Sequence, residues 1–253
     1  MTLIDRTLAR FRATVEYDGT HLKGFQRQGQ GERTVQEELE RAILRISEQS
    51  ATVIGAGRTD SGVHAVGQII AFDIVWQHGC SSLERAINAN LPDDVAVRNI
   101  IQAASRFHPR FDASSREYKY LINNQYEPAP LQRLTMWHIL KSLDVDAMNS
   151  AAAHLVGEHD FAAFGSAPVG NNTVRKVMRA DWQRNGNVLS FIIEANAFLY
   201  HMVRSIVGTM RLVGSGEMSP DRFEQIIASA DRSQAGPTAP PHGLCLIKVN
   251  YEH

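Results

Sequence analysis

Apolar and polar residues follow two different periods along the first part of the chain, and these periods predict a regular order of elements. Alternation with period two predicts strands, and apolar residues three and four apart predict helices. Strands are predicted at 11–17, 51–54, 66–74 and 95–101. Helices are predicted at 35–50, after a capping box formed by Thr34 and Glu37, and from 81 toward 90. This order of strand, helix, two strands, helix and strand is that of a ferredoxin-like unit.

The second part of the chain repeats the same order of elements, although its residues are not visibly similar to those of the first part. Strands are predicted at 116–122, 174–182, 188–195 and 243–251, and helices at 144–155, 199–213 and 220–227. The tripeptide Asn-Gly-Asn at 185–187 is a strong hairpin signal. We therefore expect an α/β protein of the α+β type, with a mixed, largely antiparallel sheet and helices packed on it. Its two ferredoxin-like halves are predicted at 1–105 and 106–253, with a cleft between them, where binding sites tend to lie.

The composition is that of a globular chain. With 253 residues, of which 43% are hydrophobic, it can bury a sizeable core as one large domain or two modest ones. No apolar run is long enough to span a membrane, and the opening residues lack the apolar core of a signal peptide, so a cytoplasmic protein is expected. Cys80 and Cys245 lie far apart, which favours two buried free thiols. The ten histidines contain no His-Glu-x-x-His pattern, and no metal site is expected.

The charge balance excludes a polycation, because the formal net charge is −1. Binding to nucleic acid would therefore need a local basic patch. Two short stretches have an excess of basic residues: Arg106, His108, Arg110, Arg116 and Lys119 in the first, and Arg175, Lys176 and Arg179 in the second. Either stretch could instead be a solvated face, and charge counting favours neither interpretation.

The stretch at 55–64, with the sequence GAGRTDSGVH, is the strongest candidate for chemistry in the first part. Three glycines allow positive φ angles and close backbone approach, and strands are predicted on both sides. Asp60 is thus expected on a short, constrained loop close to Arg58, which suits a reactive side chain. An ordinary turn is the alternative. A phosphate-binding loop is a weaker one, since the Lys-Ser/Thr of a P-loop is missing.

The second part offers aromatic and basic candidates. On the strand predicted at 116–122, Arg116, Tyr118 and Tyr120 share one face, and arginine beside tyrosine can grip an unstacked base. Tyrosines that only pack in the strand are the alternative. Arg204 lies in an otherwise apolar helix, where an arginine requires a carboxylate partner. His201, on the same segment, is interpreted as a core or rim histidine.

Six spaced motifs together identify a family. They lie at 17–28, 55–64, 110–120, 157–161, 198–208 and 236–246. In this order and over nearly the whole chain, they closely resemble the bacterial tRNA pseudouridine synthase A family. The resemblance implies the pseudouridine synthase fold and an isomerase that converts uridine to pseudouridine in the anticodon stem-loop of tRNA. It also implies a homodimer that needs no cofactor and no metal.

The resemblance also implies roles for individual residues. Asp60 matches the family nucleophile, Tyr118 the base-stacking tyrosine, and Arg204 the arginine that pairs with the catalytic carboxylate. Arg58 matches the arginine that assists base extrusion, and Leu246 would help to wall the pocket, although an apolar strand residue is more often core. Three departures from the family pattern are Phe25 in place of the usual Trp, Ser61 in place of Ala, and a divergent loop at 165–172.

Other functions remain open from the residues alone. A catalytically silent RNA-binding protein of the same shape would not require Asp60. A hydrolase with paired carboxylates would need Asp18 or Asp73 as a partner for Asp60, and no motif supplies the pair. A purely structural domain leaves the arginine in the apolar helix unexplained. For an isomerase, the sequence leaves open whether the carboxylate attacks C1′ or the base, or removes a sugar proton to form a glycal.

Overall fold

The computed structural model describes residues 7–29 and 31–252. The chain forms two compact units, one made of Met1–Ser114 with Leu246–His253 and the other of Ser115–Cys245. The first unit thus extends past the predicted boundary at 105, and it also takes up the last part of the strand predicted at 243–251. The assignment of functions to the two predicted halves stays a prediction.

Within the residues that the structure describes, the chain forms ten strands and five α-helices. The strands are β1 (Ala9–Tyr17), β2 (Ile54–Gly55), β3 (His64–Ile74), β4 (Val95–Gln102), β5 (Ala113–Asn123), β6 (Trp137–His138), β7 (Gly157–Asp160), β8 (Val174–Asn185), β9 (Val188–Ala195) and β10 (Leu244–Tyr251). The helices are α1 (Val35–Ser47), α2 (Cys80–Asn88), α3 (Val145–Ala153), α4 (Met202–Gly214) and α5 (Pro220–Ser229). Over the residues with assigned positions, no helix has the length and apolar character needed to cross a bilayer.

The first unit has the sheet order that a ferredoxin-like unit requires. Strand β1 pairs antiparallel with β4 on one side and with β3 on the other, and both β2 and β10 neighbour β3. Alternate residues of β1, namely Phe11, Ala13 and Val15, are buried, as the period-two pattern predicts. Helix α2 packs on β4 and on α1. The unit therefore has α2 packed on its sheet and α1 packed beside α2.

Helix α1 begins where the capping box predicts. Thr34 is its N-cap, and the Thr34 hydroxyl accepts a hydrogen bond from the backbone N–H of Glu37. The helix ends at Ser47 rather than 50, because Glu48 adopts a left-handed conformation with φ 57°. The chain then stays irregular until β2, which is shorter than the strand predicted at 51–54.

The second unit contains the sheet β5-β9-β8-β7, and β6 pairs parallel with β5. The β8–β9 hairpin turns at Gly186, whose φ of +57° is one that glycine adopts without strain. Trp182 and Phe191 face each other across this hairpin and stack with ring centroids 4.9 Å apart. Helix α3 packs on β8 and on α4. These features confirm the α+β class and the largely antiparallel sheet.

Helix α4 and strand β7 of the second unit differ from the sequence prediction. Helix α4 begins at Met202 rather than 199, because His201 adopts a left-handed conformation with φ 63° and ψ 3° that interrupts the helix. The chain also forms β7 at 157–160, where the sequence Gly-Glu-His-Asp is too polar to predict a strand. Backbone hydrogen bonds with β8 stabilise this strand, because its polar side chains contribute little apolar packing.

Candidate active site

The loop that carries Arg58 and Asp60 connects β2 to β3, and its first residues are tied to β3. The backbone N–H of Ala56 donates to the carbonyl oxygen of Ile69 at 2.8 Å. The Gln68 side chain, which is fully buried, donates to the carbonyl of Gly57 at 2.7 Å and accepts from the N–H of Gly57 at 3.3 Å. The Gln68 amide thus satisfies both backbone polar groups of Gly57 and fixes the first part of the loop.

Residue Thr59, directly before Asp60, is fixed from the segment at 17–25. The N–H of Phe25 donates to the carbonyl of Thr59 at 3.1 Å, and the hydroxyls of Tyr17 and Thr59 lie 2.7 Å apart. Beyond Asp60, the N–H of Gly62 donates to the carbonyl of Leu22 at 3.3 Å. The loop is therefore held on both sides of the aspartate.

Close backbone approach leaves no room for a side chain at two glycines of the 17–25 segment. A Cβ atom on Gly19 would lie 2.1 Å from the carbonyl oxygen of Val63. A Cβ atom on Gly24, whose φ is +88°, would lie 2.7 Å from the carbonyl oxygen of Thr59. Backbone atoms cannot move aside as a flexible side chain can. The first two family motifs thus act together, because one supplies the loop and the other the glycines against which it packs.

Asp18 and His64 stabilise the same corner. Asp18 Oδ1 accepts from the N–H of Thr20 at 3.0 Å and lies 3.1 Å from His64 Nδ1. His64 Nδ1 also accepts from the N–H of Gly19 at 3.0 Å, and its contact with Asp18 is an ion pair only when the imidazole is protonated. Burial raises the pKa of Asp18, but the hydrogen bonds from Thr20 and positive charge on His64 and His21 outweigh it, so the pKa is lowered overall.

Replacing Asp18 by asparagine is expected to lower stability in a pH-dependent way. A carboxyl whose pKa is lowered on folding stabilises the fold at pH values above its pKa in the unfolded chain, near 3.8. That stabilisation is lost as the pH falls through the pKa of the carboxyl in the folded protein. Because the side chain is 51% exposed, the loss at pH 7 should be about 1 kcal/mol or less. Urea unfolding at pH 7 and pH 3 measures the difference in the free energy of unfolding between the wild type and Asp18→Asn. This difference should be smaller at pH 3.

Asp93→Asn is the charge-matched control, since Asp93 lies on the surface of the same unit. It should change the free energy of unfolding less than Asp18→Asn does. A deficit of Asp18→Asn that stays constant between the two pH values would contradict the assigned role of the carboxylate.

The two polar candidates of this loop differ in exposure. Arg58 is exposed, whereas Asp60 is half-buried and its backbone carbonyl accepts from the N–H of Val63 at 3.2 Å. A half-buried carboxylate on a braced loop can be reached by a solute and still keep a defined position. Leu246 of β10, also in the first unit, is fully buried. Its burial agrees with a core role, and its contact with a substrate stays a prediction.

The strand candidates of the second unit are buried rather than solvated. Tyr118 is 7% exposed and packs edge-to-face on Phe198, with ring centroids 5.0 Å apart. Arg116 is equally buried, and its Nη1 donates to the carbonyl of Asn196 at 2.8 Å. Tyr120 donates its hydroxyl to the carbonyl of Pro240 at 2.8 Å, and burial raises its pKa. Arg116 is thus no part of a solvated basic face, and Tyr120 is a core residue.

Arg204 lies on the first turn of α4 and is oriented by the segment at 236–240. Its Nε donates to the carbonyl of Ala239 at 2.9 Å, and the N–H of Ala239 donates back to the carbonyl of Arg204 at 3.0 Å. A Cβ atom on Gly208 would lie only 1.8 Å from the carbonyl oxygen of Pro237, so glycine lets this segment approach the helix. The motif at 198–208 and the motif at 236–246 therefore fix one guanidinium between them.

The predicted site residues are distributed over both units. Arg58, Asp60 and Leu246 belong to the first, and Tyr118 and Arg204 to the second. Sequence reasoning missed the supports Tyr17, Thr59 and Gln68, which only their spacing in the folded unit reveals. Within 7–29 and 31–252, no group of three or more His, Cys, Asp or Glu side chains is arranged to hold a metal ion. Cys80 and Cys245 are free thiols, half-buried rather than buried.

Comparisons with known proteins cover almost the entire chain. The profile of the family described as tRNA pseudouridine synthase matches residues 13–112 and 151–252. The tRNA pseudouridine synthase A of Anaplasma marginale (strain Florida) is 45% identical over 246 residues, which are 96% of this chain and 100% of the relative. The proteins of the same name from Pseudothermotoga lettingae and Chloroflexus aurantiacus are each 44% identical, over 96% and 97% of this chain and 100% and 89% of their own length.

The similarity to solved structures is low. A chain of a Cbf5-Nop10-Gar1 complex is similar over 94% of this chain and 58% of its own, with 12% identity and a TM-score of 0.37, and that likeness is too weak to bear on function.

The profile match and the relatives place the chain among the isomerases that act on tRNA. It belongs to the tRNA pseudouridine synthase family, which isomerises uridine to pseudouridine. The resemblance inferred from the six motifs is thereby confirmed.

Proposed function

We propose that this chain isomerises uridine within the anticodon stem-loop of tRNA and that Asp60 is its nucleophile. The main support is the bracing of the loop, since hydrogen bonds to Gly57, Thr59 and Gly62 hold the backbone on both sides of one carboxylate. A nucleophile must be held within a fraction of an ångström of its productive position, and rigid flanking contacts serve that need.

The reaction defines what the carboxylate must do. The N1–C1′ bond breaks, the C5–C1′ bond forms, the hydrogen at C5 leaves as a proton, and N1 gains a proton. A carboxylate can trap an electron-poor sugar carbon or accept a proton, and both roles require its ionised form. The choice between attack at C1′, attack at the base and a glycal route is left open, because each begins from the same carboxylate.

Four further residues are proposed to act on the target nucleotide. A uridine must leave its stack before it can react, and this costs a few kcal/mol. Arg58 is proposed to assist that step, in keeping with its exposure on the loop. Tyr118 is proposed to stack on the base, Arg204 to pair with the reacting carboxylate, and Leu246 to wall the uracil pocket. No cofactor or metal takes part in this proposal.

The proposed partner is tRNA, and the proposed working form is a homodimer in the cytoplasm. The relatives that cover nearly the full chain are named for tRNA, which supports the choice of substrate. The size of the assembly is measured by light scattering at several protein concentrations.

Tritium release tests the proposed activity directly. Purified protein is incubated with tRNA transcripts that carry C5-tritiated uridine, and release of tritium to water reports pseudouridine formation. Mapping of pseudouridine in tRNA from a strain that lacks the protein then locates the modified positions. Loss of pseudouridine outside the anticodon stem-loop only, or absence of release from every tRNA, would contradict the proposal.

Replacement of Arg204 by leucine is expected to lower the single-turnover rate of pseudouridine formation about 100-fold. Loss of one charge placed to stabilise a reacting group typically costs this much. Single-turnover tritium release at saturating protein measures the effect.

Arg211→Leu is the matched control, because Arg211 lies on the same helix and pairs with Glu217 at 2.9 Å near the surface. Its activity should stay within about twofold of the wild type, since exposed ion pairs contribute little. Equal losses in the two variants would show that α4 merely needs its arginines for folding.

A further inference from the structure

A pair of aromatic rings, of which Tyr200 is exposed and His201 half-buried, lies directly before α4. Tyr200 is 54% exposed, and its ring lies on that of His201 with centroids 3.9 Å apart and an angle of 34° between the planes. At this distance and angle, the imidazole covers one face of the phenol ring. More than half of Tyr200 nevertheless remains exposed, so this residue offers an aromatic side chain to solvent.

The backbone at this pair is unusual. His201 has φ 63° and ψ 3°, a left-handed conformation that a residue with a side chain rarely adopts, although histidine tolerates it better than most. The position is also an N-cap, where Ser, Thr, Asp or Asn would normally cap the helix, and the His201 side chain does not cap it. Folding alone would favour another residue here, and backbone strain of this kind is concentrated at functional sites.

The position of Tyr200 is fixed by its neighbours rather than left to a mobile loop. Its N–H donates to the carbonyl of Ser166 at 3.0 Å, and Ser166 and Tyr200 form an isolated antiparallel bridge. A Cβ atom on Gly165 would lie 2.3 Å from the carbonyl oxygen of Tyr200, so the two backbones are in close contact. The first two residues of the divergent loop at 165–172 thus hold the backbone of the exposed Tyr200 in place.

The chemistry of this surface matches an unpaired nucleobase. Every base offers an aromatic face, and proteins bind single-stranded RNA by stacking such faces on Tyr, His or Phe. In the chain, Tyr200 and His201 precede Arg204, the residue proposed to act at the target uridine, by four and three positions. A nucleotide next to an everted uridine has lost a stacking neighbour, and a ring at this place would replace it.

We propose that Tyr200, backed by His201, is a stacking platform for an unpaired nucleotide adjacent to the target uridine in the substrate RNA. This inference rests on the proposed function, because it takes the substrate from it. It concerns positioning of the RNA and not the bond-making steps. Tyr200 is therefore a positioning residue, and its loss should raise the KM for RNA more than it lowers the single-turnover rate at saturation.

Three variants test the platform. Tyr200→Phe keeps the ring and should bind an anticodon stem-loop RNA within about twofold of the wild type. Tyr200→Leu removes the ring and should raise Kd and KM roughly tenfold, the low end of what loss of one stacked base costs. Tyr126→Leu is the control, because Tyr126 is an exposed tyrosine of the same unit outside this pair. It should leave both constants unchanged.

A fluorescent base locates the stacked nucleotide. 2-Aminopurine is placed at each position of the anticodon loop in turn, and binding is followed in the Asp60→Asn background, where no product forms. One position beside the target should show quenching that persists in Tyr200→Phe and is lost in Tyr200→Leu. His201→Asn removes the second ring but keeps the backbone, because asparagine tolerates the left-handed conformation. This variant should lose part of the quenching, and full quenching would show that His201 does not support the stacked base.

The outcomes separate this inference from the proposed function. If the wild type releases no tritium from any tRNA, the proposed function fails. If the wild type is active and Tyr200→Leu keeps its Kd, its KM and the quenching at every position, the platform alone is wrong. The alternative is that Tyr200 contacts a second copy of this chain instead of RNA. If Tyr200→Leu dissociates to monomers while the quenching stays unchanged, Tyr200 belongs to a dimer interface and the stacking proposal is wrong.

Discussion

Asp60→Asn protein is expected to release tritium from C5-tritiated tRNA at least ~10⁴-fold more slowly than the wild type, while it binds the same tRNA with a similar Kd. Removal of a nucleophile typically costs four to six orders of magnitude in rate. Asparagine has nearly the shape of aspartate, so the loop bracing at Thr59 and Gly57 should survive. Single-turnover release measures the rate, and filter binding measures the Kd.

Asp73→Asn is the control for this result. Asp73 forms a two-point ion pair with Arg10, with N–O distances of 2.8 and 2.6 Å. It is also one of the two alternative partners, Asp18 or Asp73, that a hydrolase mechanism would require for Asp60. We expect it to lose stability and to keep activity within about threefold. Activity of Asp60→Asn close to that of the wild type would remove the proposed mechanism, and an equally deep loss in Asp73→Asn would favour paired carboxylates.

Gly24→Ala is expected to impair both the fold and the reaction. The substitution places a methyl group 2.7 Å from the carbonyl of Thr59 at a φ of +88°, so it adds a clash to a backbone conformation that alanine avoids. The free energy of unfolding should fall by about 2 kcal/mol or more. The melting temperature should then fall by roughly 4–8 °C in a chain of this size.

The activity of Gly24→Ala should fall about 100-fold even where the protein remains folded, since displacement of reacting groups by 1 Å has this effect. Gly29→Ala is the control, because a Cβ atom on Gly29 meets nothing within 4 Å. It should leave the melting temperature and the tritium-release rate unchanged. Wild-type activity in Gly24→Ala would show that the close packing of the 17–25 segment does not position Asp60.

Periodicity predicted most elements because each depends on local information. The alternation at 11–17 is visible in the sequence and becomes the buried face of β1. Boundaries were less predictable, since they depend on single backbone conformations. Glu48 ends α1 and His201 delays α4, both in left-handed conformations that no apolar pattern records. Strand β7 exists through pairing with β8 rather than through its own composition.

The candidate site was predictable as a set of segments but not as a set of contacts. Glycine spacing marked the loop at 55–64, and the resemblance drew attention to the 17–28 motif. The hydroxyl contact between Tyr17 and Thr59 joins residues 42 positions apart, and only the folded sheet brings them together. The buried amide of Gln68 gave no signal at all, because glutamine on a predicted strand is usually solvated.

The sheet of the first unit is completed from a distant part of the chain. Strand β10 neighbours β3, and a Cβ atom on Gly67 would lie 2.0 Å from the carbonyl of Ile247, so the two backbones are in close contact. During translation, the part of this β3 edge that β2 does not pair therefore waits for a strand that is made only after the whole second unit. Until then the nascent chain exposes unpaired backbone groups that can pair with other chains. Chaperone protection of this edge would matter most in that interval.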